Sequence, residues 1–109
     1  MIERRAELRI PVTLSVKIWA LDAEGNRFEQ DAIARNISSS GALLCGVVPS
    51  LRPKDLMVVQ YRNRQASFRV VWTRASGGQE KNLAAVQLRE ADECPWRELI
   101  VESGITVPR

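Results

Sequence analysis

The sequence predicts an all-β domain: a small closed barrel or sandwich of short strands, with one helix at the C-terminal end. Three observations carry this reading. Apolar and polar residues alternate with period two in several runs. Breaks rich in Gly, Pro, Asn and Ser separate those runs at regular intervals. Only the last stretch shows helical spacing. The chain has 109 residues, 45% of them hydrophobic, which suits one core and one domain spanning 1–109. At this size a barrel with a helix over one end is the economical way to hide sheet edges.

The elements follow in order. In PVTLSVKIWALD, Val12, Leu14, Val16, Ile18 and Ala20 share one face, while Thr13, Ser15 and Lys17 share the other. DAEGNRF is a turn in composition. A second strand runs from about Phe28 to Ile37, with Ile33, Arg35 and Ile37 expected on one side. SSSG interrupts, ALLCGVV resumes as a short strand, and PSLRPKD breaks again. LMVVQYR and ASFRVVWTR are expected to pair through a hairpin at NRQ, with Phe68, Val70 and Trp72 on one face. ASGGQEKN is a turn, and LAAVQL closes the strand series. In CPWRELIVES, Pro95 suits the first helical position, and Trp96, Leu99 and Ile100 form one stripe able to pack on the sheet.

Composition narrows the function. The net charge is +3, mildly basic, which favours an anionic partner. Histidine is absent, which removes the commonest general base, the His-dependent triads and most zinc catalysis. The carboxylates are scattered among turns and the helix, so no catalytic set is expected. Cys45 and Cys94 form no CxxC pair; they read as two buried thiols, with a disulfide left open. No apolar run follows the N-terminal arginines, and no stretch suits a bilayer span. A cytoplasmic protein, not inserted in a membrane, is expected.

Two short patterns carry the chemistry. ERRAELRIP holds Arg4, Arg5 and Arg9, with Arg5 and Arg9 four residues apart. NISSSG, from Asn36 to Gly41, stands where a strand gives way to a turn. Singly, each has an ordinary explanation: a solvated charged face, or a turn in which Asn and Ser bond nearby backbone. Together, and in this order, they resemble the PilZ domain family, bacterial receptors for cyclic di-GMP. That family's pattern is RxxxR, then an alternating strand, then [D/N]xSxxG at the end of the next. RRAELRIPV and ARNISSSGALL match both, while FRVVWTR and AAVQL look like the family's last two strands. The resemblance covers roughly residues 3 to 90.

The resemblance implies a six-stranded antiparallel barrel with a C-terminal helix. It divides the chain into a flexible arginine-bearing segment (1–11), a barrel (12–90) and a helix (94–103). It implies no enzymatic activity and no cofactor; the ligand is cyclic di-GMP, held by Arg5, Arg9, Asn36, Ser38 and Gly41. Arg4 is a further phosphate contact and Trp72 a guanine contact, with a core position for Trp72 an equal expectation. Two positions depart from the commoner family residues: Asn36 stands where many members have Asp, and Ala85 where many have Gly. The implied partner is an unidentified protein effector, with no nucleic acid expected. Two other readings stay open: an interaction module that binds no nucleotide, and a single-stranded nucleic-acid barrel.

The residue types suit the ligand. A guanidinium fork matches guanine O6 and N7, binds phosphate through paired charge-assisted bonds, and stacks on purine faces. Four residues of extended chain span about 13 Å, enough to grip different parts of one dinucleotide. The arginine segment then reads as a clasp, ordered when a dianion bridges it to the barrel.

Overall fold

The computed structural model of the chain describes residues 9–21, 25–48, 51–75, 82–89 and 91–102. Its strands are β1 (Ile10–Leu21), β2 (Arg27–Ile37), β3 (Gly41–Cys45), β4 (Leu56–Tyr61), β5 (Arg64–Arg74) and β6 (Leu83–Leu88). One helix follows, α1 (Arg97–Glu102). The six strands close into a barrel in the order β1-β2-β3-β6-β5-β4, and every neighbouring pair is antiparallel. Closure gives every strand a hydrogen-bonded neighbour on both sides, which removes the aggregation liability of an open sheet. The expected all-β barrel with a C-terminal helix is therefore the observed fold.

Alternation makes β1 what it is. Val16, Ile18 and Ala20 are buried, and Val12 and Leu14 pack against the core from the same face. β1 begins at Ile10, which pairs with Ile37, so Ile10 and Pro11 belong to the sheet rather than to the loose segment expected before it. The β4–β5 hairpin turns at Arg62 and Asn63, and Arg62 takes a φ of 58° in the left-handed region. Its guanidinium carbon lies 5.1 Å from the Tyr61 ring centroid.

Two strands read differently from their local pattern. On β2, Ala34 faces Leu44 while Asn36 faces Leu43, so Arg35 is an extra residue opposite β3. This bulge reverses the inward phase: Ala32, Ala34 and Ile37 are buried, whereas Arg35 is exposed and Ile33 only half-buried. On β5, Val70 faces Val86 and Trp72 faces Ala85, which leaves Val71 as the extra residue. Phe68 and Val70 stay inside, but Trp72 turns outward and is 42% exposed. The expected shared face of Phe68, Val70 and Trp72 is thus broken, and Trp72 is not a core residue.

The segment leading to α1 closes one barrel end. The Ser38–Gly41 turn and the Arg62–Asn63 turn lie at the same end by register. Trp96 bonds to the first, and Glu98 pairs with Arg64 beside the second at 2.5 Å. Trp96 is 1% exposed and its ring lies 5.5 Å from Phe68, tilted by 33°. The interior combines these two large rings with small buried side chains, Ala34, Ala42, Ala66 and Ala84. Ile100 is buried and Leu99 packs on the core, as the stripe predicted. The helix starts at Arg97, not at Pro95, because a tight turn comes first: Arg97 N–H donates to the Cys94 carbonyl at 3.3 Å. At the far end, Val47 and Leu51 fill the barrel mouth from the β3–β4 connection. Gln30 and Asn82 pin that connection through backbone bonds at 46–48. Cys45 and Cys94 are each half-buried rather than fully buried.

Candidate functional site

The turn from Asn36 to Gly41 is tied down on three sides. Ser38 N–H donates to the Gly41 carbonyl at 2.9 Å, and Ser40 N–H donates to Ser38 Oγ at 3.3 Å. The Ser38 carbonyl accepts the Trp96 indole N–H at 2.9 Å and the Cys94 thiol at 3.8 Å. The Ser40 carbonyl accepts Leu88 N–H at 2.6 Å, which fastens the turn to the end of β6. Ser38 is 1% exposed, so its hydroxyl serves the turn in this arrangement. Gly41 has a packing reason of its own. A Cβ there would lie 2.5 Å from the Val86 carbonyl oxygen, so β3 and β6 approach as closely as they do only over a glycine. The requirement is space, not a left-handed backbone.

Arg9 and Asn36 meet. Arg9 Nη1 donates to Asn36 Oδ1 at 2.7 Å, although the two lie 27 residues apart in sequence. The register explains why: Pro11 pairs with Asn36, so the residues entering β1 run beside the end of β2. The two motifs are joined by a direct contact on the outer surface, where Arg9 is exposed and Asn36 half-buried. Arg4 and Arg5 lie outside the described residues.

A cross-strand row continues from this contact. Asn36 faces Leu43, Leu43 faces Ala85, and Ala85 faces Trp72. At the usual strand spacing the row spans about 14 Å of outer surface. One end offers an amide and a guanidinium; the middle is apolar; the far end offers an exposed indole. The Arg74 guanidinium carbon sits 6.0 Å from the Trp72 ring centroid, at the outer limit of a cation–π contact. The two bulges build this row. The β2 bulge brings Asn36 to the outside although Ala34, two residues before it, points in. The β5 bulge does the same for Trp72, two residues after buried Val70.

The arrangement therefore brings Arg9, Asn36 and Trp72 onto one face, and it buries Ser38 and Gly41 in the support beneath. Sequence reasoning missed Leu43 and Arg74. Leu43 could have been found from GALLC, where every second residue after Gly41 faces outward. Arg74 gives no such signal, since an exposed arginine on a strand is ordinary. Among the described residues no cluster of three or more His, Cys, Asp or Glu could hold a metal, and no helix is long and apolar enough to cross a membrane.

No family model and no curated protein matches the chain. Among solved structures, it is similar to the Bacillus subtilis inhibitor of motility, MotI/DgrA. The TM-score is 0.60 at 16% identity, over 94% of this chain and 49% of that one. The chain thus spans about half the length of that protein. At this identity the likeness shows the fold alone: a closed six-stranded antiparallel barrel with a short C-terminal helix.

Proposed function

We propose that this chain is a non-enzymatic receptor for cyclic di-GMP, which binds on the outer row from Arg9 and Asn36 toward Trp72. The observation that carries the proposal is the Arg9–Asn36 bond, which joins two sequence motifs at one place. Without ligand, Arg9 and Asn36 satisfy each other. A dianionic dinucleotide replaces that bond, taking the guanidinium of Arg9 on phosphate or guanine and the amide of Asn36 on a base edge. Arg5 adds a second fork and Arg4 a phosphate contact. Trp72 presents an aromatic face to a guanine. Ser38 and Gly41 act from beneath, by holding Asn36 and β3 in register. Fixing the arginine segment costs conformational entropy, which the charged contacts must exceed. The rearranged segment is the signal passed to a protein partner.

The test is calorimetric titration with cyclic di-GMP, with cyclic di-AMP and GTP as controls. Saturable heat with cyclic di-GMP alone supports the reading. A second reading has one observation in its favour: packing and turn geometry already account for Ser38 and Gly41. On that reading the barrel is an interaction module without nucleotide, and the same titration gives no heat.

A further inference from the structure

A second surface lies on the opposite side of the barrel, on the outer face of β1, β4 and β5. It is an open groove of about 490 Å³. Its floor is apolar: Trp19 and Leu21 from β1, Leu56 and Val58 from β4. Arg27 stands at the β2 side and Arg89 at the β5 side, and the described lining holds no carboxylate. Both arginines are exposed. Among the described residues neither forms an ion pair within 4.0 Å. Leu21 and Leu56 are 55% and 47% exposed, two of the largest apolar exposures in the described chain. Single exposed leucines are ordinary, but here they share one groove with a tryptophan. The Trp19 indole N–H donates to Glu29 Oε1 at 3.0 Å, which fixes the ring's orientation.

We infer that this groove docks an acidic amphipathic helix of a partner protein. The chemistry selects the occupant. A small ligand needs enclosing walls, and the two leucines lie open to solvent. Strand addition needs a free sheet edge, and at the groove β4 is already paired on both sides, with β1 through Lys17–Ala20 and with β5 through Leu56–Tyr61. Recognition must therefore run through side chains. A helix brings its own satisfied backbone and presents apolar residues at i, i+3, i+4 and i+7 to such a floor. Carboxylates flanking that stripe complement Arg27 and Arg89 at the two sides. The groove faces away from the Arg9–Asn36 row, so both surfaces can be occupied at once. The inference needs no nucleotide and stands or falls separately from the receptor reading.

The experiment pans a displayed library of random 16-residue peptides against the full chain. Enriched peptides are expected to carry a helical apolar stripe flanked by Asp or Glu. Synthetic copies should bind at least tenfold more weakly to the Leu21→Ser/Leu56→Ser chain and to the Arg27→Glu/Arg89→Glu chain. They should bind undiminished to Val101→Ser, whose side chain is exposed on α1 away from the groove. The four groove substitutions fall on exposed side chains, and matching thermal midpoints establish that each variant is folded. Absence of enrichment, enriched peptides without acidic residues, or undiminished binding to the groove variants would overturn the inference. Sedimentation of the chain with phosphatidylglycerol vesicles, lost in both double variants, would assign the face to lipid and overturn it equally.

Discussion

Arg9 and Gly41 show how one residue can serve chemistry and another geometry within the same pair of motifs. Removing the Arg9 guanidinium deletes one fork from the proposed ligand site. Arg9→Ala, like Arg5→Ala, should weaken cyclic di-GMP binding by roughly 1–3 kcal/mol, the scale of one good arginine–guanine contact. Titration of each variant measures this, and unchanged affinity in both would remove the arginines from the site. Gly41 acts on stability instead. Gly41→Ala forces a methyl to within 2.5 Å of the Val86 carbonyl, so β3 or β6 must shift. A cost of about 1–3 kcal/mol in urea unfolding is expected, as for overpacking elsewhere. Trp96 fills the barrel end and satisfies the Ser38 carbonyl. Trp96→Ala should cost about 3–5 kcal/mol, and it should loosen the Asn36–Gly41 turn as well, read as faster amide exchange there.

At the scale of elements, the strands were legible in the sequence and their faces only partly so. β6 follows its alternation from end to end, and β1 keeps its own through a register shift between Pro11 and Leu14. β2 and β5 each carry one extra residue, Arg35 and Val71, which flips every later side chain to the other face. A bulge leaves no local signature in one sequence, because it is defined by the partner strand's register. The same gap hid the row from Asn36 to Trp72: its members lie on four strands, and only pairing sets them side by side. Deleting Val71 should remove the bulge and leave Trp72 opposite Ala85 on the outer face, with tryptophan emission unshifted; a blue shift, the mark of an indole turned inward, would contradict the bulge. β1 and β2 are also linked by charge outside. Lys17 Nζ lies 3.1 Å from Glu29 Oε2 and 3.9 Å from Asp31 Oδ1. The Glu29 hydrogen bond, then the charges of Glu29 and Asp31, raise the Lys17 pKa; bonds from Lys17 and Trp19 lower that of Glu29. The signs set the window. The lowered Glu29 pKa gives stability present above its unfolded value and lost as pH falls through the folded one. The raised Lys17 pKa gives stability present below its unfolded value and lost as pH rises through the folded one. This cluster should therefore leave thermal stability flat from about pH 6 to 9. With both Lys17 and Glu29 about half-exposed, solvent screens the pair, and Glu29→Gln should change the midpoint little.

For the whole molecule, closure is what turns scattered residues into surfaces. One wall carries Arg9, Asn36, Leu43, Ala85 and Trp72; the opposite wall carries the groove between Arg27 and Arg89. Alternation and turn spacing favoured a barrel or a sandwich, and only the PilZ resemblance specified six antiparallel strands; their order around the barrel comes from the pairing. The direct Arg9–Asn36 bond was not anticipated, since the arginine segment was expected to reach the barrel only through a bridging dianion. Nor was the burial of Ser38, since its partners Cys94 and Trp96 lie more than half the chain away. The measurement that bears most directly on the receptor reading is one calorimetric titration of the full chain with cyclic di-GMP, repeated on Arg9→Ala. The account predicts saturable heat for the unaltered chain, clearly weaker binding for the variant, and silence with cyclic di-AMP and GTP. No heat from the unaltered chain at large excess of cyclic di-GMP would contradict it.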